Sequence, residues 1–311
     1  MHLKALISEA DMIYSDLHCD TVTRCFEKKE SIITATGHIN AFKSKQLGEH
    51  RQCFALFVPD SKRGSTAFSY LKKLVSFYEK EKKQLEKTNI IPVLTVENGA
   101  ALGGDCNNVN YLSEKGVKML TLTHNGENEL AYGADCEEGG LKLFGKRVIE
   151  KMEQEGISVD VSHLNRESFY DVAAFTRCPL IASHSNCHSL LPHRRNLTDE
   201  QIRLIIESGG LMGLCFHAPF LSVRGMSNFE MLYRNIFHLL SLGGEDAVCF
   251  GSDFDGGTPI PELSSLQKVK NLYGYLKGRG LGERLLEKIF YRNAERLFGE
   301  VGGRREENFS V

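Results

Sequence analysis

Several familiar signatures are missing from this sequence of 311 residues. The nine cysteines form no CxxC pair, and their odd number leaves at least one unpaired, so we expect reduced and mostly buried thiols. Neither a GxGxxG nor a Walker sequence is present, which removes the usual signals of a nucleotide site. The 38 basic and 40 acidic residues nearly cancel and form no basic stripe, so nucleic acid is not an expected partner. A small molecule is the expected ligand.

Long apolar segments and linkers are also missing. The first eleven residues are too short and too interrupted for a signal peptide or a membrane-spanning helix, which predicts a cytoplasmic protein without membrane association. No internal stretch is rich in Pro, Ser or charge. Because α/β barrels of this length often form one unit, we predict a single domain over residues 1–311.

Eight short apolar runs alternate with longer segments of helical period, and the helix at Thr198-Asp199-Glu200-Gln201 opens with a predicted capping box. Parallel neighbours need a crossover, and eight right-handed helical crossovers close a sheet. The predicted fold is therefore α/β, a (β/α)8 TIM-type barrel, with an open doubly wound sheet as the alternative. The runs are 12–18, 52–58, 90–96, 117–123, 157–162, 179–183, 210–216 and 247–252.

Five of these runs lead to a side chain that can bind a metal. In parallel α/β folds, ligands bind at the carboxyl ends of the strands, so the position of these residues is more informative than their type. We therefore predict a metal centre at this end of the barrel, of the kind that two-metal hydrolases contain. The residues are His18 and Asp20, Glu97, His163, His184 and Asp253.

The spacing of five of these residues favours convergence on cations. His18 and Asp20 are two residues apart, so on an extended strand both side chains point to one side. Glu97 ends a largely apolar strand, where an unpaired carboxylate would be costly and a bridging role between two metals would offset that cost. His163 and His184 end consecutive strands, which are neighbours in a barrel, so their imidazoles could bind one ion. Each residue alone would more often be structural, but the set favours a binuclear site.

Hydrolysis also needs a base, a donor for the developing oxyanion and a substrate anchor. Asp253 suits the first role, and His124, at another strand end, suits the second. Arg194 and Arg195 lie in the loop after the run that ends at His184, and a guanidinium matches a carboxylate with two parallel hydrogen bonds. Residue chemistry alone leaves a surface salt bridge open for either arginine.

The sequence resembles the membrane (renal) dipeptidase family of zinc dipeptidases, within the amidohydrolase-like metal-dependent hydrolases. The resemblance runs almost end to end, in the same order and spacing. It is carried by Asp16-Leu17-His18-Cys19-Asp20-Thr21, Val96-Glu97-Asn98-Gly99, Leu120-Thr121-Leu122-Thr123-His124-Asn125, Asp160-Val161-Ser162-His163, Ser183-His184-Ser185-Asn186, Arg194-Arg195-Asn196, Gly251-Ser252-Asp253-Phe254-Asp255-Gly256 and Arg292-Asn293-Ala294-Glu295-Arg296-Leu297-Phe298.

The resemblance implies a zinc-dependent dipeptidase with a hydroxide bridged by two zinc ions per chain. His18 and Asp20 would bind one zinc, His163 and His184 would bind the other, and Glu97 would bridge them. The same resemblance extends the expected substrates to dipeptides with a C-terminal D-residue.

Three further residues take roles in catalysis or substrate binding by the same resemblance. His124 would steady the carbonyl oxygen as it becomes an oxyanion, Arg195 would hold the dipeptide carboxylate, and Asp253 would transfer protons. Arg195 is chosen over Arg194 because it lies eleven residues after the metal histidine, as in the family.

The sequence also departs from the family in places. Asn98 stands where the family usually has glycine, which could change the local backbone. His217 lies at the end of the seventh predicted strand, which in the family often carries no ligand. It therefore either lines the substrate pocket or forms a structural hydrogen bond. The chain ends polar at residues 304–308, without the lipid-anchor tail of mammalian members, which predicts a soluble, bacterial-type relative.

Three questions stay open at the level of sequence. The same barrel and metals could hydrolyse another amide, a lactone or an ester, because fold and metals do not determine the substrate. A metal-binding scaffold or sensor that lacks catalysis is a second alternative. A homodimer is compatible with the sequence, which gives no direct sign of it.

Overall fold

The computed structural model describes residues 12–298, so the predicted features of residues 1–11 and 304–308 lie outside it. Eight parallel strands form one closed barrel in sequence order, with β8 paired to β1. The predicted barrel is confirmed, and the open sheet is excluded. The strands are β1 Tyr14–Cys19, β2 His50–Phe57, β3 Ile90–Glu97, β4 Val117–Thr121, β5 Ser158–Asp160, β6 Ile181–Ala182, β7 Leu211–Leu214 and β8 Val248–Phe250.

Helical segments connect each strand to the next, and the last of them follow β8. The α-helices are α1 Thr21–Lys28, α2 Ala41–Ser44, α3 Gly64–Leu85, α4 Asn108–Glu114, α5 Leu143–Gln154, α6 Arg166–Phe175, α7 Asp199–Glu207, α8 Ala218–Leu221, α9 Asn228–Ser241, α10 Val269–Gly278, α11 Glu283–Glu287 and α12 Asn293–Phe298. Short 3-10 helices span Gly99–Leu102, Gly244–Asp246, Pro261–Leu263 and Leu266–Lys268, and a π-helix spans Lys288–Arg292.

Two apolar clusters form the core, one on each face of the barrel wall. The larger cluster packs strand residues such as Leu94 and Val96 against the helices. Because side chains alternate along a strand, their neighbours Val93 and Glu97 point to the other face. A smaller cluster fills the interior with one residue from each of six strands and closes with α12. Its members are Leu17, Cys53, Met119, Ile181, Leu211, Cys249 and Ala294.

The helix α7 begins as the sequence predicts. The Thr198 side chain accepts a hydrogen bond from the Gln201 backbone, and the Gln201 side chain accepts one from the Thr198 backbone. This reciprocal capping box satisfies two backbone donors that would otherwise lack a partner.

The cysteines match a further expectation within residues 12–298. All nine cysteines are free; six are buried and three are partly exposed. Among the described helices, none combines the length and apolar character that a membrane span requires.

Candidate active site

The carboxyl ends of the strands surround a cavity of about 410 Å³. This volume lies within the range of small-molecule sites, about 300–1,000 Å³. His18 and Arg195 are buried, with exposures of 1% and 4%. The other six predicted site residues all line the cavity: Asp20, Glu97, His124, His163, His184 and Asp253.

Glu97 lies between two groups of predicted ligands. Its Oε1 is 2.9 Å from His163 Nε2 and 3.9 Å from His184 Nε2. Its Oε2 is 3.5 Å from His18 Nε2, which is itself 3.5 Å from Asp20 Oδ2. Each carboxylate oxygen therefore faces one group, which is the arrangement that a bridging carboxylate requires.

The imidazoles of His163 and His184 face each other, with 2.8 Å between their Nε2 atoms. The Nδ1 of His163 lies 2.8 Å from Asn125 Oδ1, which can only accept, so the ring proton is assigned to Nδ1. In neutral rings, the facing Nε2 atom of His163 then carries a lone pair. Burial, followed by the charge of Arg195, lowers the pKa of His163 to about 3. Burial also lowers the pKa of His184 well below its ordinary value, with His18 adding to the effect.

His184, the second histidine of this pair, is oriented by a hydrogen bond to Ser183, which is itself held by Asp160. Ser183 Oγ donates to Asp160 Oδ2 at 2.6 Å, so it can accept from His184 Nδ1, which lies 2.8 Å away. Asp160 also accepts from Thr121 Oγ1 at 2.6 Å and from the backbone of Ser162 at 3.0 Å. Asp160 lies near His18 and His184 and could in principle bind a metal. Its oxygens already accept these hydrogen bonds, so orientation of His184 is its better-supported role.

The protein groups alone leave metal-capable atoms without partners. Among the described residues, both ring nitrogens of His18 and the Oδ1 atom of Asp20 are buried and form no hydrogen bond. The lone pairs of His163 and His184 also point at each other rather than at a donor. Buried polar atoms are rarely left in this state, and cations at these positions would satisfy them. The residues therefore fit a metal centre.

The ionisable groups of the centre change one another's pKa values. Burial, with the charge of Glu97, raises the pKa of Asp20 to about 6. Burial and Asp20 likewise raise the pKa of Asp253 well above its ordinary value. In Glu97, interactions with the histidines, led by the charge of His18, outweigh burial and hold the pKa well below its usual range. In His18, Glu97 and Asp20 outweigh burial and raise the pKa. Additional positive charge would relieve the crowding of these carboxylates.

Asp253 is half-buried and faces the cavity beside His18 and Asp20. One of its oxygens belongs to a cluster with ligand atoms of His18 and Asp20, all within 4.8 Å of one another. Its backbone N–H donates to His18 O at 3.1 Å, which fixes the loop after β8 against β1. A carboxyl group in this position could exchange protons with a substrate in the cavity.

His124 stands on the opposite side of the centre. Its ring centroid is 4.6 Å from that of His163 and 4.9 Å from that of Phe57. Its Nδ1 lies 3.0 Å from Asp60 Oδ2, and because a carboxylate only accepts, Nδ1 is the donor. The Nε2 atom is the nitrogen left for other partners.

Arg195 and Arg194 occupy different environments. Arg194 is exposed and forms an ion pair with Asp135 at 2.9 Å. Arg195 is buried, with its guanidinium carbon 5.5 Å from the centre of the Phe220 ring. Its Nη2 donates to His184 O at 3.3 Å, and its buried Nε has no hydrogen-bond partner among residues 12–298. A buried guanidinium with a free donor is suited to an anionic ligand.

The two alternatives for His217 are both observed in part. Its Nδ1 accepts from the Thr258 backbone at 2.8 Å, which is a structural hydrogen bond. It also lines the cavity together with Phe220, whose ring centroid is 4.6 Å away.

The sequence analysis missed the residues that orient the predicted ones. Asp160 lies three residues before His163 and Ser183 one residue before His184, but residue type gave no reason to separate them from ordinary strand residues. Asn125 follows His124 directly, but its residue type gave no sign of a hydrogen bond to His163. Asp60 had a positional signal, because it follows β2, a strand to which no site residue was assigned.

The fold and the site together define a metal-dependent hydrolase on a (β/α)8 barrel. The protein-family model described as membrane dipeptidase (peptidase family M19) matches residues 3–309. The chain therefore belongs to this family and is a metal-dependent dipeptidase. The family and the enzyme class predicted from the sequence are confirmed.

Two solved structures are similar to this protein over nearly the whole chain. The solved structure of dipeptidase AC, a metallopeptidase of family M19, has a TM-score of 0.85 at 26% identity and covers 92% of this chain and 97% of its own. A metallopeptidase from Rhodobacter sphaeroides has a TM-score of 0.84 at 24% identity, covering 92% and 98%. An uncharacterized protein in the pqqA 5′ region of Klebsiella pneumoniae is 37% identical over 220 residues, which are 67% of this chain and 81% of that protein.

Proposed function

We propose that this dipeptidase works with two zinc ions, bridged by Glu97, and cleaves dipeptides held by their free carboxylate. The observation that carries the proposal is the position of Glu97, with one oxygen facing His163 and His184 and the other facing His18.

His18 and Asp20 would hold one ion, and His163 and His184 the other. The unpartnered nitrogens of His18 and the facing nitrogens of the other two histidines support this division. Imidazole and carboxylate are ligands that zinc accepts. When bound, paired cations lower the pKa of water toward neutrality and so supply a nucleophile at physiological pH.

Arg195 would bind the C-terminal carboxylate of the dipeptide. Its guanidinium is buried beside the metal ligands, and its Nε is a free donor among the described residues. Two N–H groups of a guanidinium match the two oxygens of a carboxylate, which would place the scissile bond at a fixed distance from this anchor.

His124 and Asp253 would act on the reacting atoms from opposite sides of the cavity. With both ring nitrogens protonated, His124 would donate from its free Nε2 to the carbonyl oxygen as negative charge develops there. The hydrogen bond to Asp60, with the charges of Glu97 and Asp60, outweighs burial and raises the pKa of His124, which favours this protonated form. Asp253, beside Asp20, would take the proton from the attacking water and pass it to the leaving amine. The peptide bond breaks without any covalent intermediate on the protein.

The proposed substrates include dipeptides with a D-residue at the C-terminus. Arg195 would contact the carboxylate, which L- and D-residues share. The Rhodobacter sphaeroides metallopeptidase is liganded with a phosphinate mimic of the dipeptide L-Ala-D-Ala. The proposal therefore covers both stereochemical classes.

A panel of L-L and L-D dipeptides, assayed with zinc-loaded protein and paired with elemental analysis, tests the proposal. We expect turnover within the panel and about two zinc ions per chain. One ion or none after complete loading would contradict the bridged centre. Turnover of lactones, esters or other amides, but of no dipeptide, would assign a different substrate. Absence of all turnover by the zinc-loaded protein would favour a metal-binding protein without catalysis.

Replacing Arg195 by Ala tests the carboxylate anchor. Loss of charged hydrogen bonds worth about 2–3 kcal/mol would raise the KM for dipeptides roughly 30- to 150-fold. Arg194→Ala is the matched control, because its guanidinium is exposed and pairs with Asp135. Steady-state kinetics should separate the two variants, and an unchanged KM in Arg195→Ala would refute the anchor.

A further inference from the structure

The loop after β2 places a carboxylate against the outer edge of His124. Asp60 Oδ2 accepts from His124 Nδ1 at 3.0 Å and from the Gly126 backbone at 3.1 Å. Arg63 Nη1 is 3.9 Å from Asp60 Oδ1, so it contributes only a weak ion pair. The Oδ2 atom of Asp60 is therefore held by hydrogen bonds from the His124 ring and the Gly126 backbone.

Asn98 holds the other oxygen of Asp60. Its Nδ2 donates to Asp60 Oδ1 and to Val58 O, both at 2.9 Å. Its Oδ1 accepts from the Ala100 backbone at 3.1 Å and from Asn128 Nδ2 at 2.9 Å. All hydrogen-bonding groups of this buried amide are used, so its position is strongly determined.

The backbone of Asn98 has a conformation that L-residues rarely adopt. Its φ is 81° and its ψ is 106°, directly after Glu97 at the end of β3. A glycine would adopt these angles with less strain. The side-chain hydrogen bonds supply a physical reason for an asparagine here, because glycine could not hold Asp60.

We propose that Asp60, held by Asn98, is the positioning residue that aims His124 Nε2 at the reacting carbonyl oxygen. The inference rests on the proposed role of His124. Phe57 and His163 pack near the ring but do not distinguish its two orientations about the Cβ–Cγ bond, whereas a hydrogen bond at Nδ1 selects one of them. The chain Asn98–Asp60–His124 thus connects the end of β3, where Glu97 lies, to the substrate side of the site.

The test compares Asp60→Ala and Asp60→Asn with the zinc-loaded wild-type enzyme. A misaimed donor weakens an interaction made in the transition state, so kcat should fall about 10- to 100-fold in Asp60→Ala with little change in KM. Asp60→Asn keeps an acceptor oxygen and should recover part of kcat. A phosphinate dipeptide mimic should lose affinity in parallel with kcat/KM, which a purely structural role for Asp60 would not produce.

A double-mutant cycle tests whether Asp60 affects kcat through His124. If Asp60 acts through His124, then adding Asp60→Ala to a His124→Ala enzyme should leave kcat unchanged. If the reductions in kcat of the two single variants multiply in the double variant, the proposal is overturned. A wild-type kcat in Asp60→Ala together with a reduced kcat in His124→Ala would also overturn it. A wild-type kcat in His124→Ala would instead reject the proposed role of His124 itself, and with it this inference.

Two further variants keep the test decisive if Asp60→Ala folds poorly. Asn98→Gly retains a compatible backbone and frees one side of Asp60, so its kcat should lie between wild type and Asp60→Ala. Asp135→Ala, which removes a carboxylate paired with Arg194 on the surface, should keep wild-type kcat. Zinc content and melting temperature, measured for every variant, should stay at wild-type levels. A wild-type kcat in a folded Asn98→Gly enzyme would contradict the part assigned to Asn98.

Discussion

Gly256 and Gly257 follow the loop of Asp253, and neither position has room for a side chain. A Cβ at Gly256 would lie 2.0 Å from Asp20 Oδ2 and 2.6 Å from Asp253 Oδ1. A Cβ at Gly257 would lie 2.4 Å from His217 Nδ1. Such distances are far below van der Waals contact, so glycine here allows the carboxylates to lie directly against the backbone.

Gly256→Ala should therefore damage one half of the metal centre. The new methyl group would displace the Asp20 carboxylate, and we expect the affinity of that metal position to fall about 10- to 100-fold. Zinc titration followed by elemental analysis measures this loss. Gly274→Ala, in α10 with open space around its α-carbon, is the control and should retain wild-type zinc binding. Full zinc occupancy with wild-type affinity in Gly256→Ala would contradict the expected displacement.

Several active-site residues have positive φ angles that sequence patterns do not reveal. They include His163 at 69° and Asp253 at 59°, besides Asn98. Each such residue costs on the order of 1–3 kcal/mol and must be held by its surroundings. The sequence identified His163 and Asp253 by their place at strand ends, but the direction of their side chains depends on these turns.

The two arginines show the same limit at the level of single residues. Residue chemistry could not separate Arg194 from Arg195, and only the resemblance to a family favoured the second. The structure places one on the surface with Asp135 and buries the other beside His184. Burial of a side chain depends on the path of its loop, which local sequence does not encode.

At the scale of elements, all eight predicted strands exist, but several end earlier than predicted. The runs 157–162 and 179–183 yield only Ser158–Asp160 and Ile181–Ala182. The backbone donors of Ser162 and Ser183 both bond to Asp160 Oδ1, at 3.0 Å each, instead of to a neighbouring strand. Buried acceptors therefore end these strands and turn the chain toward the active site.

Side-chain acceptors also bind backbone N–H groups just beyond β7 and β8 and so shorten these two strands. Cys215 N donates to Asn186 Oδ1 at 3.1 Å beyond β7, and Ser252 N donates to Asp16 Oδ1 at 2.8 Å beyond β8. Apolar periodicity predicts where a strand lies but cannot show which polar side chain will capture its last N–H groups. The strand ends were thus predicted less accurately than the strands.

The capping box of α7 makes a prediction at this scale. Thr198→Ala should destabilise the protein by about 1 kcal/mol, because a backbone donor at the helix start loses its acceptor. Urea-induced unfolding, monitored by circular dichroism, measures the change. Ser227→Ala at the start of α9 is the matched control, because that residue forms no side-chain capping bond. Equal losses of stability in both variants would contradict the role of the capping box.

At the scale of the whole molecule, the two ends of the barrel have opposite character. The interior below the site is filled by apolar residues such as Leu17 and Met119, whereas the carboxyl end holds the metal-capable side chains. The count of eight strands and their order could be predicted, because crossover rules leave few alternatives for alternating strands and helices. The distances between side chains from different strands could not, because they depend on the twist and register of the closed sheet.

His50 lies at the start of β2 and shows how the fold couples to pH away from the metal centre. It is fully buried, with its ring nitrogens 3.1 Å from Ser44 Oγ and 3.0 Å from Gln52 Oε1. The amide oxygen of Gln52 can only accept, so Nε2 carries the proton and Nδ1 accepts from Ser44 in the neutral ring. Burial lowers the pKa of His50 to about 4.

This shift predicts a loss of stability at mildly acidic pH. In the unfolded chain a histidine has a pKa of about 6.5. Below that pH the unfolded state binds a proton, whereas folded His50 stays neutral until the pH approaches about 4. Its contribution is complete above pH of about 6.5 and declines as the pH falls toward about 4, by roughly 2 kcal/mol between pH values of about 7 and 5. Urea unfolding of wild type and His50→Gln at both pH values should show this extra decline only in wild type. His188→Gln, at a partly exposed histidine, should decline as wild type does. If His50→Gln loses as much stability on acidification as wild type, His50 is not the group responsible.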